Sequence, residues 1–219
     1  MRANAVPALV DRTLKKIKNI ANSHDFILAG GTALAYQLNH RISIDLDFFT
    51  QKPINANFIL DQLKQNKVIY DLQAESQGTL HLLINGVKAS FFQYPYPFIE
   101  RTIKIHKMAV AHILDIASMK IVAVCQRGSR KDFVDLYFIL QDFPFRKIAL
   151  NMLGRYGIER VNPINIGKGL TYFFDADLDP EVNYSGSQRP DWGAVKKFFK
   201  SNVRQLVYDV QAVMNERAD

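Results

Sequence analysis

Gly30-Gly31-Thr32-Ala33-Leu34, followed closely by Ile44-Asp45-Leu46-Asp47-Phe48-Phe49, is the stretch whose reading decides the fold. Two glycines open a short helix, and a strand with two alternating carboxylates comes next. Successive side chains on a strand point to opposite faces, so Asp45 and Asp47 share one face while Ile44, Leu46 and Phe48 share the other. Carboxylates held side by side repel each other unless something positive lies between them, and a divalent metal is the usual answer. A glycine turn offering backbone N–H groups beside them suits a phosphate. The combination reads as a site for a metal-bound nucleotide. Either half alone fits an edge strand facing solvent, or a plain turn; the two halves in this order favour a site.

Working outward, apolar residues at helical spacing (Leu9, Val10, Leu14, Ile17, Ile20) with Lys15, Lys16 and Lys18 turned away predict an amphipathic helix over 7–21. A short buried strand follows at 26–29, then a helix at 32–39 that Thr32 can cap, and the carboxylate strand at 43–50. A helix is expected over 55–65 and a strand over 68–73. Strands at 79–84 and 87–93 flank Asn85-Gly86, a strong hairpin signal. Tyr94-Pro95-Tyr96-Pro97 then ends regular structure. After a strand at 107–111, Asp115 is placed to cap a helix running to 126; Arg127-Gly128-Ser129 breaks it, and a second helix spans 130–141. The remainder reads as helical, most clearly over 191–213, with 175–190 a loop. The order implies an α+β protein, with a mixed α/β core over 1–105 and a mainly helical domain over 106–219 packed on it and completing the site.

Composition sets the outer bounds. The 219 residues can bury a sizeable core, and 48% hydrophobic with 22% charged is ordinary for a folded soluble protein. No apolar run approaches a membrane span, and Met1-Arg2-Ala3-Asn4 lacks the regions of a signal peptide. A single cysteine, Cys125, excludes an internal disulfide framework, so a reducing cytoplasm is the expected home. Against 21 acidic residues stand 28 Lys and Arg, a net charge of +7 that favours a polyanionic partner such as RNA or DNA.

Two groups carry the chemistry. In the first, Gly30 and Gly31 let backbone approach phosphates at a helix N-terminus, Thr32 follows, and Asp45 and Asp47 supply the metal ligands. Phosphoryl transfer asks little more than that phosphates be positioned and their charge neutralised. His40 and Arg41, just before the carboxylates, are further phosphate candidates, with a structural role equally open. In the second, Lys120 and Arg127 are two helical turns apart and share a face; Lys131 starts the next helix, and Asp132 and Asp135 lie on one side of it. This cationic face suits a triphosphate or an acceptor backbone, or else forms ion pairs between neighbouring helices.

Together, Gly30-Gly31-Thr32-Ala33-Leu34 with His40-Arg41-Ile42-Ser43-Ile44-Asp45-Leu46-Asp47-Phe48-Phe49-Thr50, and Asp115-Ile116-Ala117-Ser118-Met119-Lys120 with Gln126-Arg127-Gly128-Ser129-Arg130-Lys131-Asp132-Phe133-Val134-Asp135-Leu136-Tyr137, closely resemble the AbiEii/AbiGii family of nucleotidyltransferase-fold proteins. The family includes toxins of bacterial toxin–antitoxin and phage-defence systems. The resemblance implies a DNA-polymerase-β-like nucleotidyltransferase core. It further implies that Gly31 and Thr32 hold a nucleoside triphosphate and that Asp45 and Asp47 hold Mg²⁺ or Mn²⁺. The family lysine falls on Lys120 and a later aspartate on Asp132 or Asp135. An RNA acceptor is implied, tRNA being the candidate, along with a cognate antitoxin as partner. One departure stands out: the hairpin strand expected to bear a third carboxylate reads Val87-Lys88-Ala89-Ser90-Phe91-Phe92, with no acid. That leaves a nucleotide-binding regulatory module without turnover as an alternative, and a small-molecule phosphotransferase as a second.

Other patterns fall short. Asp175-Ala176-Asp177-Leu178-Asp179 opens like a calcium loop, but Pro180 and Gly186 stand where Gly and Glu are needed. The histidines lack zinc spacing, and Cys125 reads as buried filler. Phe91, Phe92, Tyr94 and Tyr96 could stack bases, although a strand-end core followed by a Pro-rich turn explains them as well and is preferred.

Overall fold

The computed structural model describes residues 5–218, so the N-terminal Met1-Arg2-Ala3-Asn4, where no signal peptide is expected, lies outside the described residues. The chain divides into two compact units. The first holds the chain through Pro97 and Arg101–His112; the second holds Phe98–Glu100 and everything from Ile113 onward. Among the described residues no helix is long and apolar enough to cross a membrane.

In the first unit, α1 (Ala8–Ser23), β1 (Ile27–Ala29), α2 (Gly30–Leu38), β2 (Leu46–Thr50), α3 (Ala56–Gln65), β3 (Tyr70–Ser76), β4 (Thr79–Ile84), β5 (Val87–Gln93), β6 (Ile103–Ile105) and β7 (Met108–Val110) follow in order. The strands form one mixed sheet of order β3-β4-β5-β2-β1-β7-β6. β1 runs antiparallel to β2 and parallel to β7, while β2 runs parallel to β5. Asn85 (φ 48°) and Gly86 (φ 82°) make the tight β4–β5 turn that the sequence announces.

One face of this sheet is the core. Leu28, Leu46, Phe48, Leu80, Leu82, Ala89 and Phe91 are all buried, and α1, whose Leu14, Ile17 and Ile20 are buried too, packs against β2, β5 and β7. Phe48 stacks on Phe91 at 4.9 Å between ring centroids, and Phe26 meets Phe91 edge-on at 5.1 Å. The alternate positions, Asp47, Phe49, His81, Ser90 and Phe92, are half-buried on the other face, which we call the open face.

The second unit is helical: α4 (Ile113–Gln126), α5 (Arg130–Asp142), α6 (Phe145–Tyr156), a 3₁₀ turn at Ile158–Arg160, α7 (Pro163–Thr171), α8 (Phe174–Leu178) and α9 (Trp192–Ala218). Its centre is aromatic. Phe133, fully buried, meets Phe173 at 5.0 Å, Phe199 at 5.5 Å and Trp192 at 5.8 Å.

Several expectations need correction. β2 begins only at Leu46, so Asp45 precedes the strand and Ile44, expected to share a face with Leu46 and Phe48, is 55% exposed while those two are buried. β6 was not anticipated: it pairs with β7 through a turn at His106 and Lys107, both with positive φ and neither a usual turn residue. Part of the expected loop over 175–190 is helical as α8. Cys125 is at the surface rather than buried; its sulfur rests against Asn165 of α7, and desolvation there raises the thiol pKa to about 11.

Phe48→Ala removes the ring that ties β2 to Phe26 and Phe91. It should cost about 3–5 kcal/mol in urea unfolding of the full chain. A loss below about 1 kcal/mol would show that the sheet core is not closed by this contact.

Candidate active site

The first cluster is built by strand pairing. β1 runs antiparallel to β2 with Ala29 opposite Asp47, so the chain leaves β1 and turns into α2 directly beside the Asp47 carboxylate. The turn residue is Gly30, at φ +71°, where an L side chain is strained. A β-carbon there would also lie 2.8 Å from Asp47 Oδ2. Gly31 is equally tight, since a β-carbon on it would lie 2.6 Å from Arg41 Nη2 and 3.0 Å from Ser43 Oγ. Carboxylate and guanidinium therefore flank the bare backbone of the glycine pair.

Thr32 does not cap α2. Its side chain is buried, and its hydroxyl donates to the Asp45 carbonyl while lying 2.9 Å from the Ser43 hydroxyl. The bond holds the segment that presents Asp45 and engages the Thr32 hydroxyl within the chain. Arg41 is buried against Gly31 and donates to the Ile42 carbonyl at 3.1 Å; His40 is buried as well. Asp45 and Asp47 are both half-exposed.

No group of three or more His, Cys, Asp or Glu suited to a metal gathers among the described residues. The Asp45/Asp47 pair still fits a hard cation. Both supply oxygen donors, and Gly30 leaves the space at Asp47 Oδ2 that a side chain would fill. Mg²⁺ is commonly held by one or two carboxylates with substrate phosphates and water completing its shell. Across the sheet, Asp47 is paired with Ser90 of β5, and Ser90 with His81 of β4. The Ser90 hydroxyl and His81 Nδ1 are 2.9 Å apart, so the place opposite Asp47 holds a hydroxyl–imidazole pair instead of an acid.

The second cluster lies in the second unit. Lys120 of α4 reaches two carboxylates of α5, Asp132 Oδ1 at 2.6 Å and Asp135 Oδ2 at 2.7 Å, and all three side chains are buried. Arg127 Nε bonds Asp132 Oδ2 at 3.0 Å, and Ser129 Oγ donates to the same oxygen at 2.8 Å. Burial pushes the Asp132 pKa up, but Lys120 and then Arg127 outweigh it and hold the carboxyl below its usual range. Such a carboxylate is a weak base and a strong anchor. The Arg127 side chain, 67% exposed, and the exposed Lys131 are the members of this group open to solvent.

Sequence reasoning missed one buried network. Asp115, expected as a helix cap, lies inside α4. Its carboxylate accepts from the Ile99 and Glu100 N–H groups at 2.9 Å each and from Arg155 Nη1 at 2.9 Å, with both charged residues buried. Asn151 of α6 donates to the same carboxylate, and Arg155 lies over the Phe98 ring at 4.5 Å. The partners lie far along the chain, so no periodicity signals them.

A mixed sheet flanked by helices, with a glycine turn and a carboxylate strand side by side and a helical region following, defines a polymerase-β-like nucleotidyltransferase fold. The chain belongs to the family described as nucleotidyl transferase AbiEii toxin, type IV toxin–antitoxin system, whose model matches residues 12–77 and 87–216. It is 38% identical over 201 residues to an uncharacterized protein of Aquifex aeolicus (strain VF5), covering 89% of this chain and 94% of that one. Among solved structures it resembles a candidate nucleotidyltransferase from H. pylori, at 20% identity, 94% and 97% coverage and a TM-score of 0.56. It also resembles MenT4, a nucleotidyltransferase toxin of Mycobacterium tuberculosis H37Rv, at 15% identity, 95% and 84% coverage and a TM-score of 0.54. The enzyme class is thus that of a nucleotidyltransferase.

Two substitutions probe these clusters. Gly30→Ala forces a strained φ and a clash with Asp47, and should lower stability by about 1–2 kcal/mol in thermal melts and weaken binding of a nucleoside triphosphate in calorimetry. Unchanged nucleotide affinity would separate the glycine turn from the ligand. For Asp132, the folded pKa lies below the unfolded value of 3.8, so its stabilisation is complete above that value and is lost as pH falls through the folded pKa. Asp132→Asn should therefore cost about 3 kcal/mol at pH 7, with the gap from the parent closing below about pH 4. A gap that stays constant with pH would contradict the pairing.

Proposed function

We propose that this chain is a toxin-class enzyme that transfers a nucleotidyl group from a nucleoside triphosphate to a hydroxyl of RNA, with tRNA as the candidate acceptor, in the cytoplasm. The observation that carries the reading is the Asp47 carboxylate packed against the bare turn at Gly30, with the Arg41 guanidinium against Gly31 and the Asp45 carbonyl held by Thr32. Asp45 and Asp47 are the proposed holders of Mg²⁺ or Mn²⁺. When bound, such an ion neutralises phosphate charge and lowers the pKa of a nearby hydroxyl.

The chain's own groups would do the rest. The backbone N–H groups at Gly30, Gly31 and Thr32, at the positive end of α2, would bind phosphate oxygens, and Arg41 would offset their charge. Arg127 and Lys131, the solvent-facing cations of the second unit, are proposed as further phosphate binders, whereas Lys120 is buried and engaged by Asp132 and Asp135. Asp132 and Asp135 would hold Lys120, and Asp132 would hold Arg127 too. The reaction is attack of the acceptor oxygen on the α-phosphorus, with cleavage of the bond to the bridging oxygen and release of pyrophosphate. Membership of a toxin–antitoxin family supports a cognate antitoxin as a protein partner.

A second reading, a nucleotide-binding regulatory module without turnover, rests on Ser90 standing opposite Asp47 where an acid is absent. One assay separates the two, and it also tests a small-molecule phosphotransferase. The protein is incubated with α- or γ-labelled nucleoside triphosphates, Mg²⁺ and total tRNA, beside an Asp45→Asn/Asp47→Asn control. The α-label should enter RNA with the parent and fall at least about a hundredfold with the control. Equal labelling in both, or no labelled RNA with any nucleotide, would overturn the transferase reading. Transfer of γ-label to a small molecule would favour the phosphotransferase.

A further inference from the structure

The open face of the sheet carries aromatic rings that the core does not use. Along β2 and β5 the aromatic residues come in neighbouring pairs, Phe48-Phe49 and Phe91-Phe92, and alternation sends one of each pair to each face. Phe48 and Phe91 are at most 1% exposed within the core. Phe49 and Phe92 remain half-exposed, where a solvated face would ordinarily carry polar residues. They are paired in register and stack at 5.0 Å with planes 25° apart. The row continues, since Tyr94 meets Phe49 edge-on at 5.5 Å and Tyr96 meets Tyr94 at 5.1 Å, both half-exposed. The expectation that these aromatics close a strand-end core thus holds for Phe91 alone.

The position of the row identifies its occupant. Phe49 is two residues beyond Asp47 on the same strand and the same face, a step of about 7 Å. On the other side of Asp47's partner Ser90, β5 presents the exposed Lys88 to the same face. A cation and a continuous run of rings match a phosphate-linked chain of bases, because every base has a face that stacks on an aromatic ring whatever its sequence. The net charge of +7 supports the same ligand.

We propose that the Phe49–Phe92–Tyr94–Tyr96 row is a stacking platform for the unpaired bases of the RNA acceptor, whose reacting end reaches Asp45 and Asp47. The proposal rests on the nucleotidyl-transfer reading of those carboxylates and adds to it the state of the acceptor: single-stranded near its end, and held by its bases rather than by phosphates alone.

The test needs no turnover and no metal. A fluorescent single-stranded RNA of about ten nucleotides is titrated with the full chain, followed by anisotropy, beside an abasic strand of equal length. Phe92→Leu and Tyr96→Leu should each weaken binding of the base-bearing strand about tenfold and leave the abasic strand unchanged. Tyr96 lies outside the strands, so its variant keeps the test open even if Phe92→Leu fails to fold. Because this titration involves no transfer step, failure of the transfer assay would leave its result standing. Equal affinity of parent and both leucine variants would overturn the platform. So would equal affinity of the parent for base-bearing and abasic strands, or no strand binding at all, which would point to a protein on this face.

Discussion

The antiparallel pairing of β1 with β2, Ala29 opposite Asp47, is the constraint on which the candidate site depends. It brings the end of one strand, and so the first turn of α2, against the carboxylate of the next. Glycine is favoured at position 30, because the φ there is positive and a β-carbon would crowd the Asp47 carboxylate oxygen. The helix N-terminus, bare backbone and carboxylate thus come together through backbone register rather than through a flexible loop. The core face of the same strands holds that register, since a slip of one residue would exchange Phe48 for Asp47 in the interior.

The second unit is organised around buried charge. Lys120 joins α4 to α5 through two aspartates, and Asp115 receives α6 through Arg155 and the chain at Ile99 and Glu100 through backbone N–H groups. Buried pairs of this kind add little net stability over a well-packed apolar core, yet breaking one strands a charge and is costly. They therefore specify which helix packs where. The spacing of Lys120, Asp132 and Asp135 left two uses open, phosphate binding or inter-helix ion pairing. The geometry shows the ion pairs, and it leaves Arg127 and Lys131 with solvent-facing charge.

What could be read in the sequence was local. Asn85-Gly86 announced the β4–β5 hairpin because its turn needs positive φ at both residues, and the ends of both strands were legible from it. The glycine pair and the two aspartates are legible as neighbouring motifs. That Asp47 packs against Gly30, and Arg41 over Gly31, is not, because strand register is a tertiary fact. Thr32 looks like a cap, since its residue type caps helices, but the Asp45 carbonyl, thirteen residues on, takes the hydroxyl. β6 escaped notice because His106 and Lys107 carry no turn signal; contacts to distant chain hold them, including His106 Nε2 to Asp11 at 2.6 Å. Phe91 and Phe92 could not be divided between core and surface until the strand's two faces were known.

The central claim is that Asp45 and Asp47, beside the glycine turn, form one site for a metal-bound nucleotide. Its most direct measurement is electron paramagnetic resonance of Mn²⁺ titrated into the protein with a non-hydrolysable nucleoside triphosphate. The expected result is one protein-bound ion per chain that requires the nucleotide and disappears in both Asp45→Asn and Asp47→Asn, while thermal melts of the variants stay close to the parent. Undiminished Mn²⁺ binding in the two variants would contradict it.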